Sequence, residues 1–184
     1  MRNQKTNTFM LLSITLLIVI ALSTVSCNSG SAKPPAVDIH TATIIGDIDA
    51  VKQHIKAGSD LDAKEASLGS SPLISAAVFG KTEVAKALID AGAEVNHKNN
   101  EGSTALHSAA FLCRIEIVEM LLAKGADKNI RNNNGTTALE SVAGPFSKVK
   151  FIYDIFSKDL GPLGLKLDYN QIENTRPQIA DLLK

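Results

Sequence analysis

The chain has 184 residues, 45% of them hydrophobic and 21% charged, which suits one globular domain with a short attachment and excludes disorder throughout. Nineteen basic and nineteen acidic side chains give a formal net charge of zero, so no overall field draws the protein to nucleic acid. With no Trp, two Tyr and six Phe, rings for stacking are scarce, and aliphatic residues and alanine must make the core.

At the N-terminus Arg2 and Lys5 precede an uncharged run from Thr6 to Ala32, most apolar from Phe9 through Ala21. A basic start, a greasy middle and small residues after it make the layout of a signal peptide. The run ends in Leu22-Ser23-Thr24-Val25-Ser26-Cys27, which resembles the lipobox of bacterial lipoproteins, with Thr24 where that family prefers leucine. The resemblance implies a lipoprotein signal peptide over residues 1–26, cleaved before Cys27, whose thiol is lipidated. The protein is then exported and membrane-anchored. Asn28 follows the cysteine where an Asp would retain an enteric lipoprotein at the inner membrane, which favours the periplasmic face of the outer membrane. The alternative is an uncleaved inner-membrane signal anchor, since Phe9 to Val25 is just long enough to cross a hydrocarbon core as a helix. Residues 27–36, small and polar with Pro34-Pro35 near the end, read as a flexible tether.

Beyond the tether the chain repeats itself. Ser71-Pro72-Leu73-Ile74-Ser75-Ala76-Ala77 recurs as Thr104-Ala105-Leu106-His107-Ser108-Ala109-Ala110 and as Thr137-Ala138-Leu139-Glu140-Ser141-Val142-Ala143, thirty-three residues apart each time. Ala91-Gly92-Ala93-Glu94-Val95-Asn96 recurs as Lys124-Gly125-Ala126-Asp127-Lys128-Asn129 at the same spacing. A fixed period of this size marks a solenoid of stacked supersecondary units. Ser71, Thr104 and Thr137 read as N-caps of a first helix, with Pro72 at the first helical position, where its missing N–H costs nothing. Gly80 stops that helix, and the second one spaces Val84 and Leu88, or Ile117 and Leu121, at i and i+4 to build one apolar stripe. The polar segments His97 to Gly102 and Ile130 to Gly135 carry the Asn and Gly of projecting turns.

These motifs resemble the ankyrin repeat from about Val37 to Ala143, and the resemblance implies an all-α solenoid of helix-turn-helix units with projecting β-turn loops. Its units are 37–70, 71–103 and 104–136, with a fourth starting at 137. Cys113 falls where the family places the glycine represented by Gly80, so a half-buried thiol is expected at a turn made without glycine. The first unit lacks the opening tetrapeptide but keeps Val51, Ile55 and the Gly58 stop, as a cap would. Residues 144–184 read as an irregular fourth repeat with C-terminal capping helices. Past Gly144-Pro145, residues Val149, Ile152, Tyr153 and Phe156 continue a longer, aromatic second helix. From Asp168 to Lys184 a further helix is expected, broken near Thr175-Arg176-Pro177 and burying Ile179, Leu182 and Leu183, either as a degenerate fifth unit or as a separate functional tail.

Two sets of residues are candidates for partner binding. Just before the helix-ending turn, successive units carry the apolar pairs Ile44-Ile45, Val78-Phe79 and Phe111-Leu112. Stacked in register they form a stripe of the kind that marks an interaction site, unless one residue of each pair packs against the neighbouring unit. The turns add Lys64, His97, Lys98 and Arg131. No glycine-rich phosphate loop, nucleophile elbow or paired-carboxylate motif is present, and the four histidines have no companion at metal-ligand spacing. The chain is therefore expected to be no enzyme and to use no cofactor, metal, nucleic acid or small-molecule substrate. The family habit implies binding of another protein through the repeat turns and the concave face of the first helices. The reading is a membrane-tethered protein–protein interaction module of the bacterial envelope, or alternatively a structural or inhibitory accessory of a specific exported enzyme.

Overall fold

The computed structural model describes residues 33–184. The expected signal peptide, Cys27 and most of the expected tether lie outside the described residues. Every regular element among the described residues is helical. Helices α1 (Ile39–Ile45) and α2 (Ile48–Ala57) form the first pair, α3 (Pro72–Phe79) and α4 (Thr82–Asp90) the second, α5 (Ala105–Phe111) and α6 (Ile115–Ala123) the third. Each first helix starts at a residue able to satisfy its free amides. The Asp38 carboxylate accepts from the His40 and Thr41 amides, and the Ser71 hydroxyl accepts from the Ile74 amide with Pro72 opening the helix.

The pairs stack because neither helix of a unit can bury its apolar side alone. First helices lie on one another in the order α1, α3, α5, and second helices in the order α2, α4, α6. Ala76, Ala77, Ala109 and Ala110 are fully enclosed where the first helices meet, and their small side chains permit that approach. Leu88 and Leu121, on the second helices, are equally enclosed, each removal from water contributing about 1.5–3 kcal/mol. In the first unit the corresponding position is His54, buried but satisfied by the Val37 carbonyl and the Ser59 hydroxyl.

The fourth unit departs from expectation. Its first helix, α7 (Ala138–Val142), stacks on α5 and begins with a box in which the Glu140 carboxylate accepts from the Thr137 amide and the Thr137 hydroxyl from the Glu140 amide. The helix that then packs on α7 and α6 is not the next one in sequence. It is α9 (Tyr169–Leu183), which takes the second-helix place, while α8 (Phe146–Leu160) and the short 3-10 turn Gly161–Leu163 are inserted before it. Side-chain register explains the choice: Ile179 and Leu183 of α9 are buried at the same i, i+4 spacing as Val84 and Leu88 or Ile117 and Leu121, whereas α8 buries only Tyr153. Residues 169–183 thus complete the fourth unit rather than form a fifth.

Nor does α9 break at Pro177. The proline is exposed, where water can serve the carbonyl its ring leaves unpaired, and the preceding Arg176 is clamped by the Ser141 and Gly144 carbonyls and the Tyr153 hydroxyl. The buried face of α9 is Ile172, Arg176, Ile179 and Leu183, while Leu182, expected on that face, is 38% exposed. No helix among the described residues is long and apolar enough to cross a membrane.

Candidate partner-binding site

Two surfaces carry the candidate residues: the projecting turns, and the ends of the first helices. Successive turns are joined by a hydrogen-bond ladder along the solenoid. The Asn100 amide donates to the Leu68 carbonyl and the Asn133 amide to the Glu101 carbonyl, both at 2.9 Å. These contacts bring one turn so close to the next that a side chain at Gly69 would run into Asn100 and one at Gly102 would meet Asn133 at 2.6 Å. Both glycines also have positive φ, 66° and 71°, so turn shape and stacking distance require them together.

Within each turn one polar side chain gathers the local amides. Asn99 Oδ1 accepts from the Glu101 and Ser103 amides, and Asn132 Oδ1 from those of Asn134 and Thr136. In the first unit Glu65 does this work, accepting from the Ser67, Leu68 and Ser70 amides and the Ser67 hydroxyl. Burial alone would raise the pKa of Glu65; the hydrogen bonds from Ser67, Ser70 and Leu68 outweigh it and hold the carboxyl down to about 2.

The four candidate turn residues are not equivalent. Lys64 and Lys98 are exposed and stand in no ion pair among the described residues. His97 is half-buried, with Nδ1 3.6 Å from the Glu94 carboxylate and Nε2 enclosed without a partner. Arg131 is exposed but committed, its two terminal guanidinium nitrogens donating to Glu140 at 2.7 and 2.9 Å. His107 links two units: Nδ1 accepts from the Thr104 amide, so Nε2–H donates to the Thr136 carbonyl at 3.1 Å. Burial pushes that imidazole below its ordinary value, and it stands neutral as a structural tie.

At the ends of the first helices the apolar pairs do not form one continuous stripe. Ile45 is 60% exposed, and Ile44, Val78 and Phe79 are half-buried. Leu112 is buried, 1% exposed, because α9 crosses beside it, and it therefore presents nothing to a partner. Phe111 is covered by the inserted α8: its ring lies on Tyr153 with centroids 4.5 Å apart and planes 1° from parallel, and Phe156 approaches it at 5.8 Å. Along the row only Ile45 is exposed; Ile44, Val78, Phe79 and Phe111 are half-buried and Leu112 is enclosed.

Cys113 makes its turn in the left-handed region at φ 56°, as the missing glycine requires. The thiol is buried rather than half-buried, and S–H points to the Ile172 carbonyl at 3.5 Å. Burial raises it to about 11 against the fields of Arg176 and Arg114, so it is a protonated packing group and no nucleophile. No three His, Cys, Asp or Glu side chains among the described residues gather as metal ligands would. Two residues of the site carried no conspicuous motif. Tyr153 and Arg176 hold the insertion in place, and the signal for Arg176 lies only in phase: it precedes Ile179 by three residues, as Lys81 precedes Val84 and Arg114 precedes Ile117.

Comparison with known proteins gives two findings. A family model described as ankyrin repeats, three copies, matches residues 39–132. The human DNA-binding protein RFXANK is 36% identical to this chain over 70 residues, which cover 36% of the chain and 27% of that relative's length.

Proposed function

Since this chain belongs to the ankyrin-repeat family, a family of protein–protein interaction modules, we propose that it binds another protein through the first two units while an N-terminal lipid on Cys27 holds it at a bacterial envelope membrane. The observation that carries the binding surface is the exposed Ile45 beside half-buried Ile44, Val78 and Phe79, apolar groups that share the ends of two adjoining first helices. Lys64 and Lys98, exposed in the projecting turns, add charge that steers encounter more than it adds affinity. Zero net charge favours a protein partner over nucleic acid. Tethering supports the same role, because it raises the effective concentration of a partner confined to the same membrane. The lipobox-like Leu22 to Cys27 segment supports export and anchoring, with the periplasmic face of the outer membrane as the destination.

Two measurements test this. Cys27→Ser moves the protein from the membrane to the soluble fraction and abolishes incorporation of labelled fatty acid; a variant that stays membrane-bound argues for the signal anchor. Quantitative cross-linking in membranes loses its specific protein adducts in Ile45→Asp/Phe79→Asp, provided circular dichroism shows the variant folded. Unchanged adducts would place the binding surface elsewhere.

A further inference from the structure

Helix α8 uses only one of its sides to hold the fold. Phe146, Val149, Tyr153 and Phe156 recur at i, i+3, i+7 and i+10, a single stripe turned toward the stack. Phe146 and Val149 pack against the core, Tyr153 is fully buried and Phe156 lies against Phe111. At about 100° per residue the opposite side carries Lys148, Phe151, Ile155 and Lys158, and all four are exposed. Phe151 is 60% exposed and Ile155 52%, and Leu163 stands equally open in the turn that follows. A helix that only faces water carries polar groups along its outer side, whereas this one places a ring and a branched aliphatic chain between two lysines.

The charges beside that apolar pair select its occupant. Asp154 is neutralised by Lys150 at 3.0 Å, while Lys148 and Lys158 stand in no ion pair among the described residues, against one unpaired carboxylate on the helix, Asp159. Lysine is depleted where proteins meet proteins, because its ammonium group is strongly hydrated. A lipid surface accepts the same arrangement. The apolar pair enters the boundary between headgroups and acyl chains, and the lysine stems run outward until their charges meet phosphates. With fifteen residues α8 is too short to cross a bilayer and long enough to lie in its plane. Reach is sufficient as well. The eleven residues between Cys27 and Ile39 extend to about 40 Å at most. The two steps of stacking from α1 to α5, on which α8 lies, cover about 20 Å.

We infer that α8 is an interfacial helix that lays Phe151 and Ile155 into an anionic phospholipid surface, with Lys148 and Lys158 on the headgroup phosphates. The surface is that of the membrane holding the Cys27 lipid, so the inference rests on the anchoring proposed above. A tether alone leaves the solenoid free to rotate; a second contact fixes which side faces the membrane.

The test uses the full-length protein, purified from membranes and reconstituted into phosphatidylcholine vesicles with or without phosphatidylglycerol. An environment-sensitive fluorophore is attached at Ser147→Cys, one turn from Phe151, and as a control at Glu119→Cys on the exposed side of α6; Cys113 is buried and takes no label. Expected with phosphatidylglycerol are a blue shift and quenching by brominated acyl chains at Ser147→Cys, and neither at Glu119→Cys. Phe151→Ser/Ile155→Ser abolishes both signals. Lys148→Glu/Lys158→Glu, which keeps the apolar pair, lowers the ratio of docked to free α8 by about tenfold or more. Quenching no greater at Ser147→Cys than at Glu119→Cys overturns the proposal, as does equal quenching without phosphatidylglycerol, which would leave the lysines no part. A blue shift without quenching that grows with protein concentration would assign the face to a second copy of this chain, and equally overturns it. Flotation of the vesicles reads the anchor separately: protein that floats unquenched keeps its anchor and loses only the docking of α8, whereas protein that fails to float loses both.

Discussion

The phenol of Tyr153 stands between two groups that burial would leave unpaired. It donates to the Phe111 carbonyl and accepts from Arg176 Nη1 at 2.8 Å. Arg176 is 3% exposed and faces no carboxylate in any ion pair among the described residues, so its charge is met by three oxygens: this hydroxyl and the Ser141 and Gly144 carbonyls. A buried cation held by neutral acceptors is sensitive to the loss of any one of them. Tyr153→Phe keeps the ring stack but orphans both neighbours, and is expected to lower stability by about 1–3 kcal/mol in urea unfolding. An unchanged midpoint would mean that water reaches Arg176 and replaces the hydroxyl.

At the scale of the element, the projecting turns show one solution reached with two chemistries. Asn99 and Asn132 organise their turns with a neutral amide, and Glu65 organises the first with a carboxylate. Only the carboxylate is tied to pH. Its folded value, about 2, lies below the ordinary 4.5, so its contribution is complete above about pH 4.5 and is lost as pH falls toward about 2. Glu65→Asn, which installs the residue used by the other turns, is expected to flatten the stability profile through that interval and leave it unchanged near pH 7. Thermal melts at a series of pH values read this directly, and a variant as acid-sensitive as the parent would shift the cause to other carboxylates.

For the whole molecule, α9 closes the stack. It supplies the second helix of the fourth unit and covers the third, where Leu112 and Cys113 would otherwise meet water. Because stability in a solenoid is carried by neighbouring units, truncation before Asp168 is expected to unfold α7 and α8 and to raise hydrogen exchange in α5 and α6 far more than in α1 to α4. Uniform loss of protection over all units would show instead that the chain unfolds only as one block.

Much of this was legible from residues alone. The thirty-three-residue period, the caps at Ser71 and Thr137, and the i, i+4 pairs Val84-Leu88 and Ile117-Leu121 set the helix pairs, because caps and apolar stripes act within a few residues of one another. The family, the all-α fold and the turn that Cys113 must make without glycine all follow from the repeat read along the chain. Tertiary structure alone decided which of two late helices joins α7, whether the helix survives Pro177, and which apolar pairs stay open. Both α8 and α9 have an apolar face, and the choice fell to α9 because its Ile179 and Leu183 meet α7 and α6 in register, while the rings of α8 found Phe111. Local pattern says that a face must be buried; only the packed neighbours determine against what.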